Sequence, residues 1–158
     1  MIWVMIMPSF SLEARDKTEF SHVPQSDVNT LHKFITLSVS PRQATWQIKE
    51  VKPSQQESFG PTDWMLFALL TFEKSNFQKI LEQSPPISSD HPIFWNAEDI
   101  LEWFPAILKK NLSLENGLYR WRTQDIREAK VFTRSPLLQG YFIPLSEYSQ
   151  IFLFFYTR

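Results

Sequence analysis

The chain has 158 residues, 43% of them hydrophobic and 15% aromatic, enough to bury a core as one domain without staples. With 16 basic and 17 acidic residues the formal net charge is −1, so no overall field favours nucleic acid or anionic lipid. The absence of cysteine excludes disulfides, thiol catalysis and cysteine-ligated metal, and leaves the compartment open.

The first segment poses a targeting question. Residues 2–7 (IWVMIM) are an apolar run followed by Pro8-Ser9-Phe10-Ser11, and the small residues Ser9 and Ser11 suit a signal-peptidase site. No Lys or Arg precedes the run, and it is short for a signal core. Residues 1–14 therefore read either as a truncated signal segment or as an outer strand, with a single domain over 15–158. Exported and cytoplasmic locations both stay open. No segment reaches the roughly 20 apolar residues that would cross a bilayer.

Residues 15–30 are polar, with a helical turn expected near Asp27. Residues 34–40 (FITLSVS) alternate, Ser40-Pro41-Arg42-Gln43 has turn chemistry, and residues 45–51 (TWQIKEV) place Trp46 and Ile48 opposite Gln47 and Lys49. This predicts an antiparallel hairpin with one wet face. After a polar loop over 52–62 comes DWMLFALLTF, residues 63–72, apolar on both alternating faces like IFLFFY at 151–156. Strands covered on both sides read this way, which makes these two the inner strands of the sheet.

The period then changes. Ser75 and Gln78 have capping-box spacing, Phe77, Ile80 and Leu81 form an apolar stripe, and Pro85-Pro86 stops the helix. A second helix is expected from the cap Asn96, with Glu98, Asp99 and Glu102 at its start and Lys109 and Lys110 at its end, complementing the helix dipole. Its stripe is Ile100, Phe104, Ile107 and Leu108, and Pro105 kinks or divides it. Asn116-Gly117 marks a tight turn, and strands follow over 118–122, 129–134, 138–145 and 151–157, the last two joined as a hairpin through 146–150. The order β-β-β-α-α-β-β-β-β predicts an α+β domain. It implies a mainly antiparallel sheet of about six or seven strands with two central helices packed on it.

Catalytic signatures are lacking. His22, His32 and His91 have no second ligand at metal-binding spacing. There is no G-x-S-x-G, dinucleotide fingerprint or phosphate loop, and no cofactor or metal is expected. Glu98, Asp99 and Glu102 are accounted for by the first-turn dipole preference. The basic residues concentrate at Arg120, Arg122, Arg127, Lys130 and Arg134. If strands 118–122 and 129–134 pair, Arg120, Arg122, Lys130 and Arg134 gather beside Tyr119 and Trp121, a surface suited to an acidic partner. Trp95 and Trp103 are further aromatic candidates. The expectation is a non-enzymatic protein-binding module, such as a bacterial immunity or inhibitor protein or an envelope accessory factor. The alternatives are a small-ligand binder with an aromatic-lined pocket between sheet and helices, and a small hydrolase. Nothing in the sequence sets the oligomeric state.

Overall fold

The two strands with apolar residues on both faces pair with each other at the centre of the molecule. The computed structural model describes residues 23–51, 63–87, 93–121, 125–137 and 139–157. The segment 1–14, the loop 52–62, His22, His91 and Arg122 lie outside the described residues. The main sheet has five antiparallel strands in the order β1 (Gln43–Val51), β2 (Asp63–Thr71), β8 (Gln150–Tyr156), β7 (Gln139–Leu145) and β6 (Arg127–Glu128). A second antiparallel sheet has three strands in the order β3 (Phe94–Trp95), β5 (Leu118–Trp121) and β4 (Leu112–Glu115). The architecture is α+β, with the strands divided between two sheets where one was expected.

The β2–β8 register explains the double burial. Leu66, Ala68 and Leu70 lie opposite Phe155, Leu153 and Ile151, while Phe67 and Leu69 lie opposite Phe154 and Phe152. Directly opposed residues share a face, so each set continues across the sheet into its own core. The first core takes Leu66, Ala68, Leu70, Ile151, Leu153 and Phe155. The second takes Phe67, Phe152 and Phe154.

The first face is covered by α1 (Val28–Leu31), the bends that follow it, α2 (Lys74–Gln83) and a 3-10 turn at Lys130–Phe132. Asp27 starts α1 by accepting hydrogen bonds from the Asn29 and Thr30 amides. The strand expected over 34–40 does not form. Phe34 and Ile35 amides bond back to the Leu31 carbonyl, and Thr36 bonds to the 3-10 turn through Phe132 O. Local turn bonds thus satisfy this backbone, and Phe34 and Ile35 reach the core from bends. The hairpin partner of β1 is β2, not 34–40. Gln25 occupies part of the outer edge of β1, exchanging two backbone hydrogen bonds with Trp46.

Helix α2 buries Phe77 and Ile80 and ends before Pro85 as expected, but it begins at Lys74 after Glu73, which caps through no side-chain bond. The Ser75 capping box is therefore displaced. Its far end is held by Arg127, whose Nη1 donates to the Leu81 and Ser84 carbonyls at 2.7 Å each while Nε donates to Asp125 Oδ1 at 2.7 Å. The Leu81 carbonyl also accepts the Ser84 amide, and carbonyls at a helix C-terminus have acceptor capacity to spare, which one guanidinium takes up at two places at once.

The second face is covered by the small sheet, the segment 96–105 and α3 (Ala106–Lys110). The expected second helix is divided. Asn96 and Asp99 form a capping box around a 3-10 turn at Ala97–Asp99, and α3 starts only after Pro105. Proline supplies no N–H and clashes with the preceding turn, so the two pieces cannot fuse. Leu108 is buried but Ile107 is 46% exposed, a departure from the expected stripe. Residues 129–134 also depart. Ala129 N still bonds to Gly140 O, after which the chain leaves the sheet and turns Phe132 into the first core.

Candidate functional site: the small sheet and its outer face

The β4–β5 hairpin is built on Asn116 and Gly117, both left-handed at φ 53° and 81°. Two consecutive positive φ values define the two-residue turn whose twist suits a hairpin, and Asn-Gly is the pair that adopts them most readily. The turn fixes the register, with Glu115 opposite Leu118 and Ser113 opposite Arg120. On the other side, Phe94 lies opposite Arg120 and Trp95 opposite Tyr119.

Alternation then sorts every side chain. Trp95 and Trp121 point inward and are each 4% exposed. The Trp95 ring lies 5.1 Å from Trp121, 5.2 Å from Phe154 and 5.8 Å from both Phe67 and Phe104, mostly edge-on or tilted, as ring quadrupoles prefer. Trp103 packs edge-on against Phe104 and donates its indole N–H to Gln47 Oε1 at 2.9 Å. Lys49 Nζ reaches Asp99 Oδ1 and the Glu98 carbonyl, each at 2.6 Å. The face of β1 expected to be wet is therefore covered, and Gln47 is buried. Glu98 and Asp99 serve this tie. Asp99 also accepts the Asn96 amide through Oδ2, and no metal-type cluster of three His, Cys, Asp or Glu occurs among the described residues.

The outer face of the small sheet carries Phe94, Ser113, Glu115, Leu118 and Arg120. Phe94 and Leu118 are exposed, at 43% and 36%. Arg120 lies between them, half-buried, with Nη1 3.4 Å from Glu115 Oε2. Leu114, opposite Tyr119 and so on the other face of the edge strand, is 64% exposed. Bare apolar side chains beside an arginine have the composition of a protein-binding surface.

Of the sequence candidates, Tyr119, Arg120, Trp121, Trp95 and Trp103 do belong to one layer. Trp95 and Trp121 are core residues there, and Trp103 is tied to β1. Lys130 and Arg134 belong to the cover of the opposite face of the main sheet. Lys130 pairs with Glu128 at 2.5 Å, and Arg134 donates to the His32 carbonyl. Strand β5 pairs with β3 and β4, never with 129–134, so the expected gathering of Lys130 and Arg134 with Arg120 does not occur. Phe94, Leu114 and Leu118 were not singled out by sequence. Leu118 was legible beside the Asn-Gly turn, two positions from Arg120 and thus on its face. Phe94 needed the β3–β5 pairing.

Among the described residues two titratable groups are shifted, both away from this face. The Thr30 hydroxyl and amide hold the Asp27 carboxyl below its ordinary range. Burial, then the neighbouring Tyr141, pushes the Tyr156 phenol up. His32 Nδ1 lies 3.2 Å from the Ile35 carbonyl, a hydrogen bond from ring to backbone. No helix among the described residues is long and apolar enough to cross a membrane. No protein-family model, curated protein or solved structure matches this chain, so its function has to follow from the chemistry of the face itself.

Proposed function

We propose that this chain is a non-enzymatic protein-binding module that engages an acidic partner protein through the outer face of the small sheet. The supporting observation is where exposed apolar surface collects. Of the six large hydrophobic side chains exposed among the described residues, Phe94, Leu114 and Leu118 lie on the small sheet, and Ile107 and Tyr148 lie beside it. Only Val23 lies elsewhere. Arg120 shares the outer face with Phe94 and Leu118, while Leu114 lies on the other face at the edge strand, and Lys109 and Lys110 are exposed at the end of α3, which leads directly into β4. Apolar anchors supply the desolvated contact, and the cations raise the association rate with an acidic partner. A role as an immunity or inhibitor protein, or as an envelope accessory factor, needs this kind of surface and no catalytic group.

The test is capture from native extract by the wild type and by Leu118→Ser with Arg120→Glu. The double variant should keep its melting temperature, since both side chains are exposed or half-exposed. It should bind its partner at least tenfold more weakly, about 1.4 kcal/mol. Wild-type binding should also weaken with salt. Lys130→Glu with Arg134→Glu, on the far side, should bind as wild type. Loss of binding in that control but not in the first variant would move the interface to the other layer.

A further inference from the structure

A cleft of about 310 Å3 opens beside the small sheet, between α3, the end of β5, the end of β7 and the 3-10 turn at Ser146–Tyr148. Its origin lies in the backbone. Strand β6 is two residues long and pairs only with Phe142 and Tyr141. Gly140 directs its carbonyl toward the β6 side, where Ala129 N donates to it. Alternation gives Pro144 the same orientation, so the position that lacks an N–H faces the stretch of edge where no strand among the described residues pairs. That is where proline is tolerated in a sheet. Among the described residues the paired edge stops short of Pro144, beside the cleft.

Trp121, Ile143, Pro144 and Ile107 form the apolar side of the walls, Ile107 with 46% of its surface exposed, and Asn111 and Ser146 add polar side chains. The lip carries Glu147 and Tyr148. Among the described residues, Glu147 is the one charged group lining the cleft, and it has no ion-pair partner there. Tyr148 is 57% exposed, at the end of the 3-10 turn that forms the lip.

We infer that this cleft binds a small organic cation, an ammonium group on an apolar body about one ring in size. A dry cavity of about 150 Å3 suffices for benzene, so this cleft has room for a ring and a short aminoalkyl arm. The body lies against Ile107, Ile143 and Pro144. The ammonium lies at the lip, between the Glu147 carboxylate and the face of Tyr148, the pairing used wherever proteins recognise amines. An anion meets Glu147 with no cation among the described lining residues to offset it. A polyol would lose hydrogen bonds to water where it met Ile107, Ile143 and Pro144. The cleft shares Ile107 and Tyr148 with the apolar surface gathered beside the small sheet, but the residues of the outer face itself, Phe94, Leu118 and Arg120, do not line it.

Amide and indole NMR spectra of the full chain, titrated with 2-phenylethylamine, 2-phenylethanol and 3-phenylpropionate, test it. The amine should shift the Glu147 and Tyr148 amides and the Trp121 indole signal in one saturable process, near 1 mM as an order of magnitude for a ligand of this size. The alcohol should bind at least fivefold more weakly and the carboxylate more weakly still. Glu147→Gln, at an exposed position, should reduce the amine to the level of the alcohol. Tyr148→Ala should weaken the amine several-fold, with Tyr148→Phe restoring it. Equal binding of amine and alcohol would overturn the inference. So would an unchanged Glu147→Gln titration, or an amine that leaves these signals unmoved. Phe94→Ser should leave the titration as in wild type, whatever it does to a protein partner.

Discussion

The two faces of the main sheet are sealed by different means. On the first, Leu66, Leu70, Ile151 and Leu153 meet Leu31, Ile35, Phe77 and Ile80, with Phe34, Trp46, Phe132 and Phe142 in the same core, and the cover comes mostly from segments next in sequence to the strands. The side chains lock by shape and volume, and removal of their apolar surface from water is the main driving force. On the second, Phe67, Phe104, Phe152, Trp95 and Trp121 form a cluster of tilted and edge-on rings. It is supplemented by directional ties from Lys49 to Asp99 and from Trp103 to Gln47. Trp121 Nε1 is buried without a partner among the described residues, a cost of about 1–3 kcal/mol that aromatic burial must offset. The second cover is a small sheet with little hydrogen bonding of its own to the main one, so polar ties must orient it. It is also the layer that bears the exposed apolar surface.

Substitutions that act on one face at a time should break this contrast open. The largest effect is expected from Phe152→Ala, about 3–5 kcal/mol, against about 2–5 kcal/mol for Leu153→Ala on the opposite face, both read by urea unfolding. The aromatic near-ultraviolet dichroism should fall sharply only for Phe152→Ala. Next is Lys49→Met, which leaves the Asp99 carboxylate 9% exposed and without its cation. A loss of about 3 kcal/mol is expected, and Lys49→Met with Asp99→Leu should recover much of it. Equal losses for single and double variants would mean that the tie orients nothing.

Gly140→Ala should cost about 1–3 kcal/mol, because a Cβ there falls 2.4 Å from Phe154 O and 2.5 Å from Phe155 Cδ1. A melting curve within experimental error of wild type would contradict that packing. The smallest effect concerns Tyr156. Its phenol is raised above the ordinary tyrosine range by burial and by Tyr141. The unfolded chain therefore ionises first as pH climbs. The corresponding stability is complete below about pH 10 and is lost as pH rises through the folded value. Tyr156→Phe should flatten the alkaline limb of the stability profile and leave the neutral value little changed.

What was legible in the sequence follows from the range of the interactions responsible. The double burial of β2 and β8 was readable because two apolar faces leave a local signature at period two. The Asn116-Gly117 hairpin was readable because a two-residue turn sets its own register. The strands expected over 34–40 and 129–134 failed because alternation alone does not supply a pairing partner. Thr36 instead bonds to the 3-10 turn, and Phe132 packs from that turn. The wet face assigned to β1 failed for a longer-range reason. Gln47 and Lys49 look like solvent-facing residues until Trp103 and Asp99, 56 and 50 positions further along the chain, arrive to pair with them. The candidate surface was half legible. Arg120 opposite Trp121 followed from alternation, while grouping Arg120 with Lys130 and Arg134 required a strand pairing that the fold does not make.

Phe94 and Trp95 are consecutive residues of a two-residue strand, one facing out at 43% exposure and the other buried at 4%. Phe94→Ser and Trp95→Ser, compared for melting temperature and for partner binding, test most directly whether this layer is structural inside and functional outside. Phe94→Ser should melt within about 3 °C of wild type and lose at least tenfold in partner affinity, about 1.4 kcal/mol. Trp95→Ser should lose the cooperative unfolding transition of the second core. A Phe94→Ser variant that unfolds, or that binds its partner as tightly as wild type, would contradict the assignment of this face.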